Sequence, residues 1–338
     1  MGWKLHLTAV LTALVCVVVY LPDPPYVTDV RKLSTDLQKW HERGKTIKVN
    51  GHNVFYIYEK CKNEKLKNPT TFAILHGYPS SSYEYHKVID ALLEIGDVFI
   101  HDHVGFGFSD KPAENFTYSM SEAADNALVV WRSVKISRAH VVAHDMGDTV
   151  LTEILARRYR GLLPNYFDNF FQSVTFTNGG MKYSLISFRL SQIILPHPTF
   201  GPFFSMVGNR LGFDKFFMKK QIASIWSPHA NKIDREREIG SIAELNEFKG
   251  GFRIFHKNIY YLYDRAHFEF RWFAALAEIN IPIRFIWGDS DAVAPISISK
   301  FFQSFVPGVE IILIPKGGHF WMLEQPDVWI KEIRKVLK

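Results

Sequence analysis

The chain has 338 residues, 47% of them hydrophobic and 22% charged, which is enough apolar material for one large domain or two small ones. The net charge of +6 is spread thinly, with no basic stripe interleaved with aromatics, so it makes no case for nucleic-acid binding and allows only a mild attraction to anionic membrane surfaces. The two cysteines, Cys16 in an apolar run and Cys61 in a Lys-rich loop, do not form a disulfide framework.

Leu7 to Leu21 is an uncharged, almost wholly apolar run that ends at Pro22-Asp23-Pro24-Pro25. It is short for a spanning helix and fits the apolar core of a signal segment, yet no small-x-small cleavage site follows it. A retained membrane anchor over residues 1–25 is the first expectation; a cleaved signal or a hydrophobic arm are the alternatives. Leu33 to Arg43 reads as a short polar helix. Asn50-Gly51 between two alternating runs, 46–49 and 54–58, signals a hairpin. From Phe72 the pattern alternates strand and helix: strands at 72–75, 97–101, 138–142 and 173–177, helices near 83–94, 120–134 and 148–159. Such alternation predicts a mostly parallel sheet with helices on both faces.

After Asn178-Gly179-Gly180 the alternation stops. Residues 181–275 carry helical patterns, proline breaks and many aromatics, and alternation resumes at Ile283. The expected domains are therefore a core in two parts, 26–180 and 276–338, with a helical lid at 181–275. A lid of this kind excludes water and suits a small lipophilic substrate.

Ala143-His144-Asp145-Met146-Gly147 has the small-x-nucleophile-x-small shape of the sharp turn between a strand and a helix that exposes a nucleophile. The alternative is an Asp that caps the following helix. Two later segments favour the nucleophile. Strand 284–287 is followed by Asp291, and strand 311–314 by Gly317-Gly318-His319. Nucleophile, acid and histidine thus stand in chain order, each after a strand, as covalent hydrolysis on such a sheet requires. His76-Gly77-Tyr78-Pro79 follows another strand and predicts an oxyanion hole from the backbone amides of Tyr78 and Met146, since Pro79 has no N–H to give. Gly105-Phe106-Gly107 leads into no helix, and His101-Asp102-His103 has no further ligands at metal-binding spacing, so neither a cofactor nor a metal is expected.

With His76-Gly77-Tyr78-Pro79-Ser80-Ser81-Ser82-Tyr83, Gly105 to Pro112, His144 to Asp148, Asn178-Gly179-Gly180, and Tyr261 with Arg265, the chain resembles the α/β-hydrolase superfamily. The branch it resembles uses an Asp nucleophile: epoxide hydrolases, haloalkane dehalogenases and epoxide-hydrolase-like membrane proteins. The resemblance implies a hydrolase without a cofactor, an alkyl ester on Asp145 hydrolysed by His319 with Asp291, and an endoplasmic-reticulum membrane location. It also implies lid tyrosines as ring-opening acids. Tyr261 is the first candidate and Tyr183 the second, with Tyr260 and Tyr263 open. Met146 stands where epoxide hydrolases carry Trp. Tyr78 stands where familiar dehalogenases carry Asn or Glu, which takes away a halide-binding amide and places dehalogenation second; indole N–H groups of Trp287 and Trp321 would have to replace it. A non-enzymatic membrane protein that uses the fold for interaction is the third alternative.

Overall fold

The computed structural model describes His6 and residues 16–337. The expected anchor therefore lies mostly outside the described residues, and no helix among them is long and apolar enough to cross a membrane. Eight strands form one sheet: β1 (Lys45–Val49), β2 (His52–Glu59), β3 (Thr71–Leu75), β4 (Asp97–His101), β5 (Ala139–His144), β6 (Phe171–Thr177), β7 (Ile283–Gly288) and β8 (Glu310–Ile314). Their order is β1-β2-β4-β3-β5-β6-β7-β8. The β1/β2 and β2/β4 pairs are antiparallel and the rest are parallel.

The central strands β3, β4 and β5 are buried along their whole length. Their inner residues, Phe72 to Leu75, Val98 to Ile100 and Val141 to Ala143, are apolar because helices cover both faces of a parallel sheet. The hairpin between β1 and β2 turns at Asn50 and Gly51, both with positive φ (48° and 89°), as a two-residue turn of this type demands. Helices α1 (Thr35–Glu42), α2 (Ile89–Leu93), α3 (Met120–Ser133) and α4 (Met146–Tyr159) belong to the layers around the sheet. Ser119 caps α3 by accepting the Glu122 amide, and the Glu122 side chain takes the Thr117 amide, so the helix start is written in Ser-x-x-Glu. The single helix expected near 83–94 is instead a short 3₁₀ turn, Ser82–Tyr85, followed by α2. Ser81 caps Tyr83, and the Ser82 amide is claimed by Asp102 after β4. These side-chain bonds compete with a continuous helix.

Between β6 and β7 the chain leaves the sheet for a helical insertion. Its helices are α5 (Leu190–Ile194), α6 (Phe200–Leu211), α7 (Asp214–Ala223), α8 (Lys232–Glu247), α9 (Phe255–Asn258) and α10 (Tyr261–Glu278). The last of these runs back onto α4, which is why α4 is buried on every side from Met146 to Ala156. After β7 come α11 (Ile296–Phe305), β8, α12 (Trp321–Glu324) and α13 (Pro326–Ile333). Asp145, Asp291 and His319 all follow the carboxyl ends of parallel strands, the edge where open α/β sheets bind ligands.

Candidate active site

Asp145 is the joint between β5 and α4, with φ +46° and ψ −105°. A side-chain-bearing residue held there costs about 1–3 kcal/mol and persists only when its surroundings impose it. Here they do. The Asp145 amide donates to the Thr177 carbonyl at 3.2 Å, and the Asp145 carbonyl accepts from Arg265 at 2.9 Å. Glycines give the turn its room. A Cβ on Gly77 would lie 2.8 Å from the Asp145 Cβ, and one on Gly147 would lie 2.5 Å from the Leu75 carbonyl oxygen.

The buried Asp145 carboxylate is held at both oxygens. Oδ2 accepts the Tyr78 amide at 3.1 Å, and Oδ1 accepts Nη2 of Arg265 at 3.2 Å. Met146 opens α4, and a first-turn N–H has no partner within its own helix. Arg265 is completely buried, donates from Nε to Thr149, and lies over the Tyr261 ring at 4.5 Å.

The His319 ring is buried, with Nδ1 2.8 Å from Asp291 Oδ2. Asp291 also accepts Asn178 Nδ2 on Oδ2 at 2.6 Å, and the Val293 and Ala294 amides on Oδ1 at 2.7 and 3.0 Å. Burial alone would raise the Asp291 carboxyl, but His319 and these donors outweigh it and hold it below the usual range. For His319 burial opposes the charge; the adjacent Asp291 carboxylate, with Asp145 and Glu84 beyond it, prevails and holds the imidazole up to about 9. The His319 backbone is fixed as well: its carbonyl accepts His144 Nε2 at 2.9 Å, while His144 Nδ1 meets Glu84 Oε1 at 2.9 Å. The His144 ring thus links Glu84 to the His319 backbone.

Asp145, His319 and Tyr78 share a cavity of about 490 Å³ whose far wall comes from the insertion, with Met218, Ile222 and Ile225 as apolar lining and Ser191, Gln192 and Gln221 as polar points. Tyr261 is buried nearby, and its hydroxyl accepts Gln192 Nε2 at 3.4 Å. Tyr183 is not at this cavity: its ring packs on Phe188 and its amide donates to Glu269. Tyr260 and Tyr263 stack on each other, each 37% exposed. The Tyr78 hydroxyl, which the sequence did not single out, is buried without a hydrogen-bond partner among the described residues. The Trp287 N–H is already given to the Ala294 carbonyl at 2.7 Å, and neither Trp287 nor Trp321 lines the cavity.

Four residues gain a role only here. Asn178 and Arg265 stood in recognisable patterns without an assigned task. Glu84 and His144 carried no sequence signal as a pair, because they lie sixty residues apart and meet only through the fold.

The chain belongs to the α/β-hydrolase fold family, whose model matches residues 70–326. It is 31% identical to the protein LipZ of Mycobacterium tuberculosis over 305 residues, covering 90% of this chain and 99% of that protein. It is 28% identical to the mesoderm-specific transcript homolog protein of Bos taurus over 329 residues, 96% of this chain and 92% of the relative. Among solved structures, the epoxide hydrolase CorEH superposes with a TM-score of 0.65 at 20% identity, covering 87% of this chain and 97% of CorEH.

Proposed function

We propose that this hydrolase works through an alkyl ester on Asp145 and opens epoxides on small lipophilic molecules. The observation that carries the reading is a strained, buried Asp145 whose carboxylate already accepts the Tyr78 amide, in one cavity with a His319 oriented by Asp291. A carboxylate oxygen of Asp145 forms a bond to a ring carbon as the ring C–O bond breaks, and the alkoxide takes a proton from a tyrosine hydroxyl. Tyr261 is that acid in our reading, assisted by the Tyr78 hydroxyl, which has no hydrogen-bond partner among the described residues. Burial pushes both hydroxyls up, so neither loses its proton before an alkoxide forms. Alkylation removes the Asp145 charge that helps hold the His319 imidazole protonated, so the ring gives up its proton, and water then attacks the ester carbonyl carbon while the freed Nε2 takes its proton. The amides of Tyr78 and Met146 hold the oxyanion; on collapse the departing oxygen takes the proton from His319 and the diol is released, and the carboxyl proton left on Asp145 returns to the tyrosine phenolate. The insertion serves as the lid that keeps bulk water out. The apolar run at 7–21 is assigned as a membrane anchor, and the endoplasmic reticulum follows from the family resemblance alone.

The haloalkane reading is weaker because a departing halide needs free N–H donors and the Trp287 N–H is spent. One observation favours the non-enzymatic reading: Arg265 pairs with Asp145, and a carboxylate held by a guanidinium is a poorer nucleophile. The test is intact mass of the His319→Gln protein after incubation with a panel of lipophilic epoxides and haloalkanes. An adduct on Asp145 from an epoxide supports the proposal. An adduct only from haloalkanes moves the activity to dehalogenation. No adduct from folded protein, with wild type inactive across the panel, favours the interaction reading.

A further inference from the structure

The helices α5, α6 and α7 turn a markedly apolar face outward. Leu190 and Ile193 on α5, Phe200 and Phe204 on α6, and Phe213 and Phe216 at α7 are between 43% and 63% exposed. Scattered exposed apolar side chains are ordinary, but a contiguous set marks a surface that something covers. Contiguity is shown by a second cavity of about 660 Å³ whose walls include Leu190, Phe204 and Phe213. That cavity shares Ser191, Phe217 and Phe255 with the cavity that holds Asp145 and His319. The two cavities therefore lie back to back between the exposed face and Asp145, with those three side chains as the partition. Asp214, the acid in its outer wall, is pushed by burial up to about 7.

Two further observations identify what covers the face. First, the apolar sequence run 7–21 ends against α6, one of the helices that carry the face. Arg210 of α6 donates from Nη1 to the Val18 carbonyl at 3.1 Å and also to that of Val19, and its Nε pairs with Asp23 at 3.1 Å. Val17 and Tyr20 are 58% and 86% exposed beside it. Second, the face carries a positive fringe. Lys219 and Lys220 on α7 are exposed and form no ion pair among the described residues, and Lys220 Nζ lies 4.6 Å from the centre of the Phe216 ring. Aromatic and aliphatic groups bordered by unpaired lysines match an interface between acyl chains and anionic headgroups.

We propose that this face of the insertion sits in the surface of an anionic lipid bilayer, and that the substrate, an epoxide on a long hydrocarbon chain, enters from the bilayer between α5, α6 and α7. The seating rests on the surface alone; the substrate class rests on the epoxide reading above.

The test uses the full chain with Cys16→Ser and Cys61→Ser, carrying one cysteine at position 216 or 162 labelled with an environment-sensitive fluorophore. Leu162, 67% exposed in the turn that leads from α4 to β6, lies at the opposite end of the sheet from Asp145. Vesicles of phosphatidylcholine with phosphatidylglycerol are added, with and without bromine on the acyl chains. The expected result is a blue shift and bromine quenching at Phe216→Cys and neither at Leu162→Cys. Equal behaviour of the two labels on vesicle-bound protein overturns the seating. So does a blue shift at 216 that grows with protein concentration without lipid, because a second copy then covers the face. In a second arm, Phe213→Glu with Phe216→Glu in the His319→Gln protein cuts adduct formation from a vesicle-borne long-chain epoxide by roughly tenfold or more, while a short water-soluble epoxide reacts as before. Seating with equal loss for both epoxides overturns the entry route. Seating with no adduct from any epoxide supports the surface and refutes the epoxide chemistry instead.

Discussion

Replacing Asp291 by Asn tests the candidate site at its most constrained point. The amide group has one acceptor and one donor end, and its surroundings choose between them. The Oδ1 position faces two backbone donors, Val293 and Ala294, so the amide oxygen must lie there. The NH₂ then occupies the Oδ2 position, facing His319 Nδ1 and Asn178 Nδ2. Asn178 cannot turn to accept it without losing the Gly288 amide, which its Oδ1 receives at 3.0 Å. His319 Nδ1 becomes the acceptor, its proton moves to Nε2, and the nitrogen that faces water can no longer take one. Two estimates of the effect agree. Removing a unit charge 2.8 Å away takes about 6 kcal/mol of attraction from the imidazolium at an effective dielectric near 20. The same exchange behind a serine nucleophile costs about 10⁴ in rate, or about 5 kcal/mol. The expected outcome of Asp291→Asn is that Asp145 is still alkylated, while hydrolysis of the ester falls by about 10³–10⁴. Time-resolved intact mass follows the ester, and ¹⁵N chemical shifts of the His319 ring report the protonated nitrogen without any substrate. Ester decay within tenfold of wild type, or a ring proton still on Nδ1, refutes the reasoning.

Other expectations follow from the same geometry. His319 is held at about 9 against an ordinary 6.5, so its raised value adds roughly 3 kcal/mol of stability that is full below pH 6.5 and lost as pH climbs through 9. The melting-temperature gap between wild type and His319→Gln should therefore narrow from pH 6 to pH 10; a gap that widens has the wrong sign. Arg265→Met leaves the Asp145 carboxylate buried without its cation and should cost about 3–5 kcal/mol, much of it regained by adding Asp145→Asn; a purely additive double-mutant cycle would show that the pair is not coupled. Gly77→Ala drives a methyl to within 2.8 Å of Asp145 Cβ and should lower stability by about 1–3 kcal/mol in denaturant titration. Glu84→Gln weakens the link from Glu84 through His144 to the His319 carbonyl and should slow ester hydrolysis while leaving alkylation unchanged, a split that a merely structural role would not produce.

Much of the fold and site could be read before any coordinates. Strands 72–75, 97–101 and 173–177 announced themselves by short runs of apolar and β-branched residues bounded by turn signals, as strands of a sheet covered on both faces do. The turn at Asp145 was legible because a sharp strand-to-helix joint needs small residues at fixed offsets, and local sterics act between chain neighbours. The order of Asp145, Asp291 and His319 was legible for a related reason: each follows a strand that local pattern reveals. What chain neighbours do not touch stayed hidden. Arg265 reaches Asp145 across 120 residues, and Glu84 reaches His144 across 60. No periodicity encodes such meetings. Helical spacing alone could not tell Tyr261, which packs beside Tyr78, from Tyr183, which turns to Glu269 and Phe188 instead. Nor could it separate aromatic residues of α6 and α7 that fill a core from those that face outward. The sequence by itself determined the sheet, the elbow and the strand-end positions of Asp145, Asp291 and His319, because those follow from local pattern and short-range sterics. The tertiary structure decided the charge around Asp145, the packing of Tyr261 on Tyr78 and the direction of the open apolar face, because each depends on which distant segments pack together.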